Sequence, residues 1–217
     1  MATIKPNIKL KNILTGLLVL AALMNFSHVG YIKFKALLSQ YLLETAWIKT
    51  QQNEKGSLTI KAVKPWLWAD IYPVAKLGFT RQGKGFIVLN NDSGQALAFA
   101  PGINPSTPIG GKLPIVISAH NDSHFSLLKN VNIADKITLQ TSNSETTTFK
   151  VISIKIIDTR KDKLFVENNS AYNNENFTSS HSISEVPIQG LILVTCYPFK
   201  AISRETPYRY LIEAVSI

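Results

Sequence analysis

The stretch "LILVTCYPF", residues 191–199, runs four aliphatic residues and a threonine into the only cysteine of the chain, then breaks at an aromatic–proline turn. A short apolar, β-branched run bounded by a turn signal reads as a buried strand. The pattern recurs on both sides of it. From about residue 57 the runs "SLTIKAV", "KGFIVLN", "QALAFA", "LPIVISAH", "DKITLQT", "TTTFKVISIKII", "GLILVTC" and "YRYLIEAVSI" are strand candidates. Clusters such as "NNDSG" and "PGINPSTPIGG" separate them, and "SHFSLLKN" reads as a short helix. Strand after strand with few helices predicts a mostly-β barrel or sandwich. The Asn- and Ser-rich segment "ENNSAYNNENFTSSHSISE", 167–185, is nearly empty of core residues and is expected to be a long loop between two strands.

The start of the chain follows another rule. Lys5, Lys9 and Lys11 precede "ILTGLLVLAALMNFSHVGYI", residues 13–32, which carries no formal charge at neutral pH. Twenty helical residues rise about 30 Å, the thickness of a bilayer core. Lys33 and Lys35 follow, and the excess of lysine on the first side favours a cytoplasmic N-terminus. The expected organisation is a cytoplasmic segment at 1–12, a transmembrane anchor at 13–32, an amphipathic helix and linker at 33–56, and a folded body at 57–217. A cleaved signal peptide is the rival reading, but the apolar part is long for one and "NFSHVGY" makes a poor cleavage site. Within 33–49, Phe34, Leu37, Leu38, Tyr41, Leu42 and Ile48 fall on one helical face, expected to pack on the body or to lie at a membrane interface.

Composition narrows the function classes. The 217 residues, 45% of them apolar, suffice for one sizeable domain and an appendage and exclude wholesale disorder. The net charge of +9 comes from scattered lysines, with no arginine-rich stripe or aromatic–basic motif, so no nucleic-acid partner is expected. One cysteine makes no internal disulfide and no zinc cluster, and no acidic run has calcium-loop spacing. No metal or cofactor is therefore predicted.

A lone cysteine in an exported domain is either inert and buried or a reactive thiol. Cys196 ends a strand just before a turn, where side chains commonly reach a cleft. His120 ends another strand-like run, in "IVISAHNDSHF", and Arg209 lies thirteen residues beyond the cysteine. A histidine can adjust a thiol's protonation and return a proton to a leaving amine. An arginine can hold a carbonyl or the oxyanion that forms from it. His124 reads as a packing or surface histidine, and Arg204, in the loop "AISRETP", is the alternative arginine. Alternation along "YRYLIEAV" puts Arg209, Leu211, Glu213 and Val215 on one side and Tyr208, Tyr210, Ile212 and Ala214 on the core side. Two charges in the first set predict that this face opens toward a cleft or solvent at its start.

These segments together resemble the sortases, cysteine transpeptidases of bacterial surfaces. "LILVTC" is similar to the family's T-L-x-T-C strand motif, with Leu193, Thr195 and Cys196 matching and Ile192 at the usual threonine. "ISAHNDSHFSLLKNVNIADKI", 117–137, resembles the histidine segment, with His120 and Phe125 matching and Ala134-Asp135 at the usual G-D pair. Ser118-Ala119 stands for the usual Ala-Gly, and Asn121 for the usual arginine. The segments "KPWLWADIYPVAKL" (64–77), "GQALAFAPG" (94–102) and "TCYPF" most resemble the proteobacterial, or marine, class GN type.

The resemblance implies a closed sortase-type β-barrel of about eight strands with short helices, preceded by the transmembrane helix. It implies catalysis by Cys196, His120 and Arg209, with Thr195 and Asn121 as substrate-contacting or supporting residues. The substrate would be an exported protein with a C-terminal sorting signal. The acceptor would be an amine, and the barrel would face the periplasm from the inner membrane. A cysteine hydrolase that resolves the acyl-enzyme with water, and an inactive barrel scaffold, are the alternatives.

Overall fold

Alternation of buried and partly exposed side chains builds a barrel whose inner wall is aliphatic. Strand β1, Pro73–Phe79, buries every second residue, so Ala75, Leu77 and Phe79 point inward. The computed structural model describes residues 8–54, 62–111, 113–161, 190–200 and 206–217. Among them the other strands are β2 Lys84–Leu89, β3 Gly102–Ile103, β4 Ile115–Ser118, β5 Lys136–Thr141, β6 Thr146–Asp158, β7 Gly190–Cys196 and β8 Tyr208–Ser216. They close in the order β1-β2-β3-β4-β7-β8-β6-β5, with β4 and β7 parallel and β7 and β8 antiparallel. Closure leaves no sheet edge unpaired. The interior holds Leu77, Ile117, Phe125, Leu128, Ile137, Leu139, Leu191, Leu193 and Ile212, all fully buried. Each such side chain contributes about 1.5–3 kcal/mol.

The expected strands at "KGFIVLN", "LPIVISAH", "DKITLQT", "TTTFKVISIKII", "GLILVTC" and "YRYLIEAVSI" correspond to β2 and β4–β8. "SHFSLLKN" is a 3₁₀ helix, His124–Asn130. "QALAFA" is not a strand. Ser93 accepts a hydrogen bond from the Ala96 amide and caps a short helix, α2, Gly94–Leu97, in which Ala96 is buried. Two strands were hidden in turn-like sequence: β1 starts at a proline and contains a glycine, and β3 is only two residues of "PGINPST". The run "SLTIKAV" and the loop 167–185 lie outside the described residues, apart from Ala62 and Val63, which are not in a strand.

The chain forms two units, Met1–Tyr41 and Leu42–Ile217. Helix α1 runs without a break from Ile8 to Glu54, so most of the stretch expected as a linker, 51–57, is still helix. In the first unit Ile13, Leu14, Leu17, Leu18, Val19 and Leu20 are exposed. Among the described residues no helix is long and apolar enough to cross a membrane, although the expected span 13–32 includes side chains at 21–29 and 32 that are not described. In the second unit the buried face of α1 is Leu43, Ala46, Trp47 and Thr50, spaced i, i+3, i+4, i+7. Leu43 and Trp47 pack on Ala69, Ile71, Ile87, Leu89, Ala96 and Ala100. The face expected to pack on the body is not the one that does: Phe34, Leu37, Leu38, Tyr41 and Ile48 are exposed. Small Ala46 lets the flanking Leu43 and Trp47 approach the sheet, and a larger neighbouring face would not. The Thr50 hydroxyl donates to the Ala46 carbonyl and accepts from the Val63 amide, which ties the helix end to the chain leading into β1.

Candidate active site

Strand register pairs two of the candidate residues, and the third follows the end of a neighbouring strand. Cys196, the last residue of β7, sits directly opposite Arg209, the second residue of β8. Residues opposed across an antiparallel pair have Cα atoms about 4.5–5.5 Å apart and side chains on the same face. That face is the outside of the barrel. Leu191 and Leu193 point into the interior, whereas Ile192 and Val194 join Val116 and Leu211 in a separate buried cluster on the other side of the sheet. Cys196 continues that outer row and is half-buried. On the other flank of β7, β4 pairs in parallel up to Ser118 opposite Val194. The Ala119 amide donates to the Val194 carbonyl at 3.2 Å. Exposed His120 follows one residue later, two positions beyond the end of β4.

Thr195 and Asn121 hold this arrangement. Thr195 is only 2% exposed, and its hydroxyl donates to the Ala119 carbonyl at 2.7 Å, clamping the strand behind Cys196 to the residue before His120. Asn121 Nδ2 donates to the Pro198 carbonyl at 3.0 Å, joining the segment after the histidine to the turn after the cysteine. That turn is anchored by aromatic packing. Tyr197 stacks on Tyr210 at 6.2 Å, and Phe199 meets Tyr210 edge-on at 5.1 Å. Thr206 donates to the Tyr197 carbonyl, and Arg209 Nη1 donates to the Thr206 and Tyr208 carbonyls. Both of those arginine bonds use Nη1.

The other candidates fall into place around these groups. His124 opens the 3₁₀ helix, packs edge-on against Phe86 at 5.5 Å and keeps its Nδ1 buried without a partner. Burial, and then the charge of nearby His120, push its pKa below the ordinary histidine range. Burial and Tyr197 raise the Tyr210 hydroxyl. Arg204 and His181 lie outside the described residues. At the start of β8 Arg209 is half-buried, and further along the same face Glu213 is 1% exposed, with Lys155 Nζ 3.0 Å from Oε2. Neither carboxylate oxygen has an aligned hydrogen bond, so the contact is a charge pair across β6 and β8. Among the described residues no group of His, Cys, Asp and Glu could hold a metal. A cleft of about 540 Å³, lined by Tyr72, Asn90, Asn104, Thr141 and Glu145 among others, contains none of the three residues.

One neighbour went unnoticed in the sequence. Asp92, in the turn cluster "NNDSG", accepts a hydrogen bond from Ser118 Oγ at 3.2 Å, two residues before His120. Only the "NNDSG" punctuation marked the place.

A thiol, an imidazole and a guanidinium on adjacent strand ends can attack a carbonyl, pass a proton and stabilise the resulting oxyanion. The family model described as "Sortase domain" matches residues 80–217. No curated protein matches the chain. Among solved structures, sortase A from Corynebacterium diphtheriae is similar at 16% identity and TM-score 0.52, covering 82% of this chain and 84% of its own. Sortase C1 from Streptococcus agalactiae follows at 17% identity and TM-score 0.51, covering 77% and 75%. The Clostridium perfringens sortase D5 transpeptidase has 12% identity and TM-score 0.53, covering 83% and 98%. At such identities the structures speak for the fold alone. The family match takes in β2 to β8 together with Cys196, His120 and Arg209, and the chain belongs to the sortase family.

Proposed function

We propose that this sortase is a membrane-anchored cysteine transpeptidase. The observation that carries the reading is the direct opposition of Cys196 and Arg209 on one sheet face, with His120 at the end of the adjoining strand. Cys196 Sγ, as thiolate, attacks a backbone carbonyl carbon of an exported substrate protein near its C-terminal sorting signal. The Arg209 guanidinium balances the oxyanion. The C–N bond breaks, His120 gives its proton to the departing amine, and a thioester on Cys196 remains. An acceptor amine then attacks the thioester and loses a proton to His120. The new amide leaves and the thiolate is restored. Thr195 and Asn121 act as positioning residues in this scheme through their bonds to Ala119 and Pro198.

The anchor at 13–32, a periplasmic barrel and the inner membrane as location belong to the same proposal, supported by the lysine flanks and the exposed leucines of α1. Kinship with the class GN sortases rests on "PWLWAD", "GQALAFAPG" and "TCYPF". The first two meet in space, where Trp66 packs on Phe99 at 5.3 Å. The test is acyl-enzyme capture. Wild-type protein incubated with a sorting-signal peptide should gain a mass adduct on Cys196, and Cys196→Ala should gain none while melting at the wild-type temperature. Adding an amine should convert product from acid to amide. Acid alone at saturating amine would mark a hydrolase, and a thiol that reacts with a probe only after denaturation would remove Cys196 from catalysis.

A further inference from the structure

We propose that Asp92 forms a charge-selective subsite beside the nucleophile, which takes a cationic side chain of the peptide substrate one or two residues from the scissile carbonyl. The inference rests on the transpeptidase reading above and adds a substrate feature to it. Asp92 is half-buried, and Oδ2 accepts two hydrogen bonds, from Ser118 Oγ at 3.2 Å and Asn104 Nδ2 at 3.3 Å. Both donors are neutral. Asp92 makes no ion pair among the described residues, and Oδ1 has no partner there. A carboxylate held by neutral donors has lone-pair capacity left for a cation.

Its position is fixed from below. A Cβ at Gly102 would come within 2.0 Å of the Asn91 carbonyl oxygen and 2.8 Å of Asp92 Cα, so only glycine lets this turn lie directly on β3. Gly102 in turn pairs with Ser118 of β4. The Asn91 side chain accepts from the Ser93 amide and the Ser93 side chain caps α2, which stiffens the turn on both sides of Asp92. Ser118 shares the outer face with Val116, and Val194, opposite it on β7, precedes Cys196 by one pleat. Two residues along a strand span about 6.6 Å, the reach of one or two residues of an extended peptide. The side chains next to Ser118 on this face, Val116, Ile192 and Val194, are aliphatic. Among these neighbours the carboxylate is the group that distinguishes a charged side chain by sign.

The test scans Lys, Gln and Glu through each position of a sorting-signal peptide library and counts thioester adducts on Cys196 of the full-length protein in detergent by mass spectrometry. Wild type should capture the Lys peptide about tenfold or more over its Gln counterpart at one position, and the ratio should shrink at high salt. Asp92→Asn should bring the ratio near one, and Asp92→Lys should favour Glu. Equal capture of Lys and Gln peptides by wild type at every position would overturn the subsite while leaving the thioester chemistry standing, and it needs no variant to fold. An unchanged Lys preference in a folded Asp92→Asn protein would do the same. Absence of any Cys196 adduct across the library would overturn the transpeptidase reading and the subsite with it.

Discussion

Arg209 is the residue whose role the register makes most testable. It faces Cys196 across β7 and β8, and two backbone carbonyls hold one of its terminal nitrogens. A surface arginine in an ordinary ion pair contributes about 0–1 kcal/mol to stability, whereas a lost oxyanion donor costs about 100- to 1000-fold in rate. Arg209→Ala should therefore reduce turnover by that factor with little change in melting temperature. Arg209→Lys should recover only part, because a point charge cannot reproduce the planar fork. Normal turnover in the alanine variant would move the role elsewhere, with Arg204 the first candidate. The sequence supplied Cys196, His120 and Arg209 because each ends or begins a strand-like run. It could not supply Asp92, whose place depends on a close approach to Gly102 that leaves no local pattern. A second residue shows its cost directly. Ala134, where the family carries glycine, adopts φ 71°, a left-handed conformation that disfavours a Cβ. Asp135, whose carboxyl Arg81 holds below the usual carboxylate range, receives the Asn132 amide and pins that turn. Ala134→Gly should raise stability by about 1 kcal/mol, read as a higher denaturant midpoint. A fall would mean that the turn accommodates the methyl group without strain.

At the scale of elements, six strands were legible because each combines alternation or a continuous apolar run with a Gly, Pro or Asn boundary. The misreadings share one physical cause: short elements made of small residues. "QALAFA" fits a strand or a helix equally by period, and the decision falls to the Ser93 cap and to Ala96, which is small enough to sit under α1. Strand β1 disguises its alternation with Ala75, Lys76 and Gly78. In α1 the largest apolar side chains pointed to the wrong face, because burial in the second unit begins only near Leu43 and selects Leu43, Ala46 and Trp47. This yields a comparison. Trp47→Ala empties a site that is 2% exposed and should cost about 3–5 kcal/mol. Leu37→Ala, at 72% exposure, should stay within about 0.5 kcal/mol. Chemical denaturation of the two variants measures both. Equal losses would show that α1 is not packed through Trp47.

For the whole molecule the proposed anchor at 13–32 carries a prediction about which side of a membrane the barrel occupies. The exposed side chains of Leu17, Leu18, Val19 and Leu20 follow one another, and at 100° per residue four consecutive positions circle the helix. A helix that is apolar all round needs an apolar surrounding, and a single amphipathic stripe would not. Three lysines before residue 13 against two after residue 32 favour an inward N-terminus, which sends the barrel outward. That orientation also suits the chemistry, since a transpeptidase acting on exported proteins must meet them after export. A phosphatase reporter that folds only outside the cytoplasm, fused after Ile217, should be active. Intact-mass analysis of the detergent-extracted chain should return the full 24.0 kDa, because an anchor is retained. Loss of roughly the first thirty residues would instead identify a cleaved leader of the secretory kind and leave the barrel free of the membrane. Activity of a cytoplasm-only reporter at the same junction would reverse the orientation and, with it, remove exported proteins as substrates.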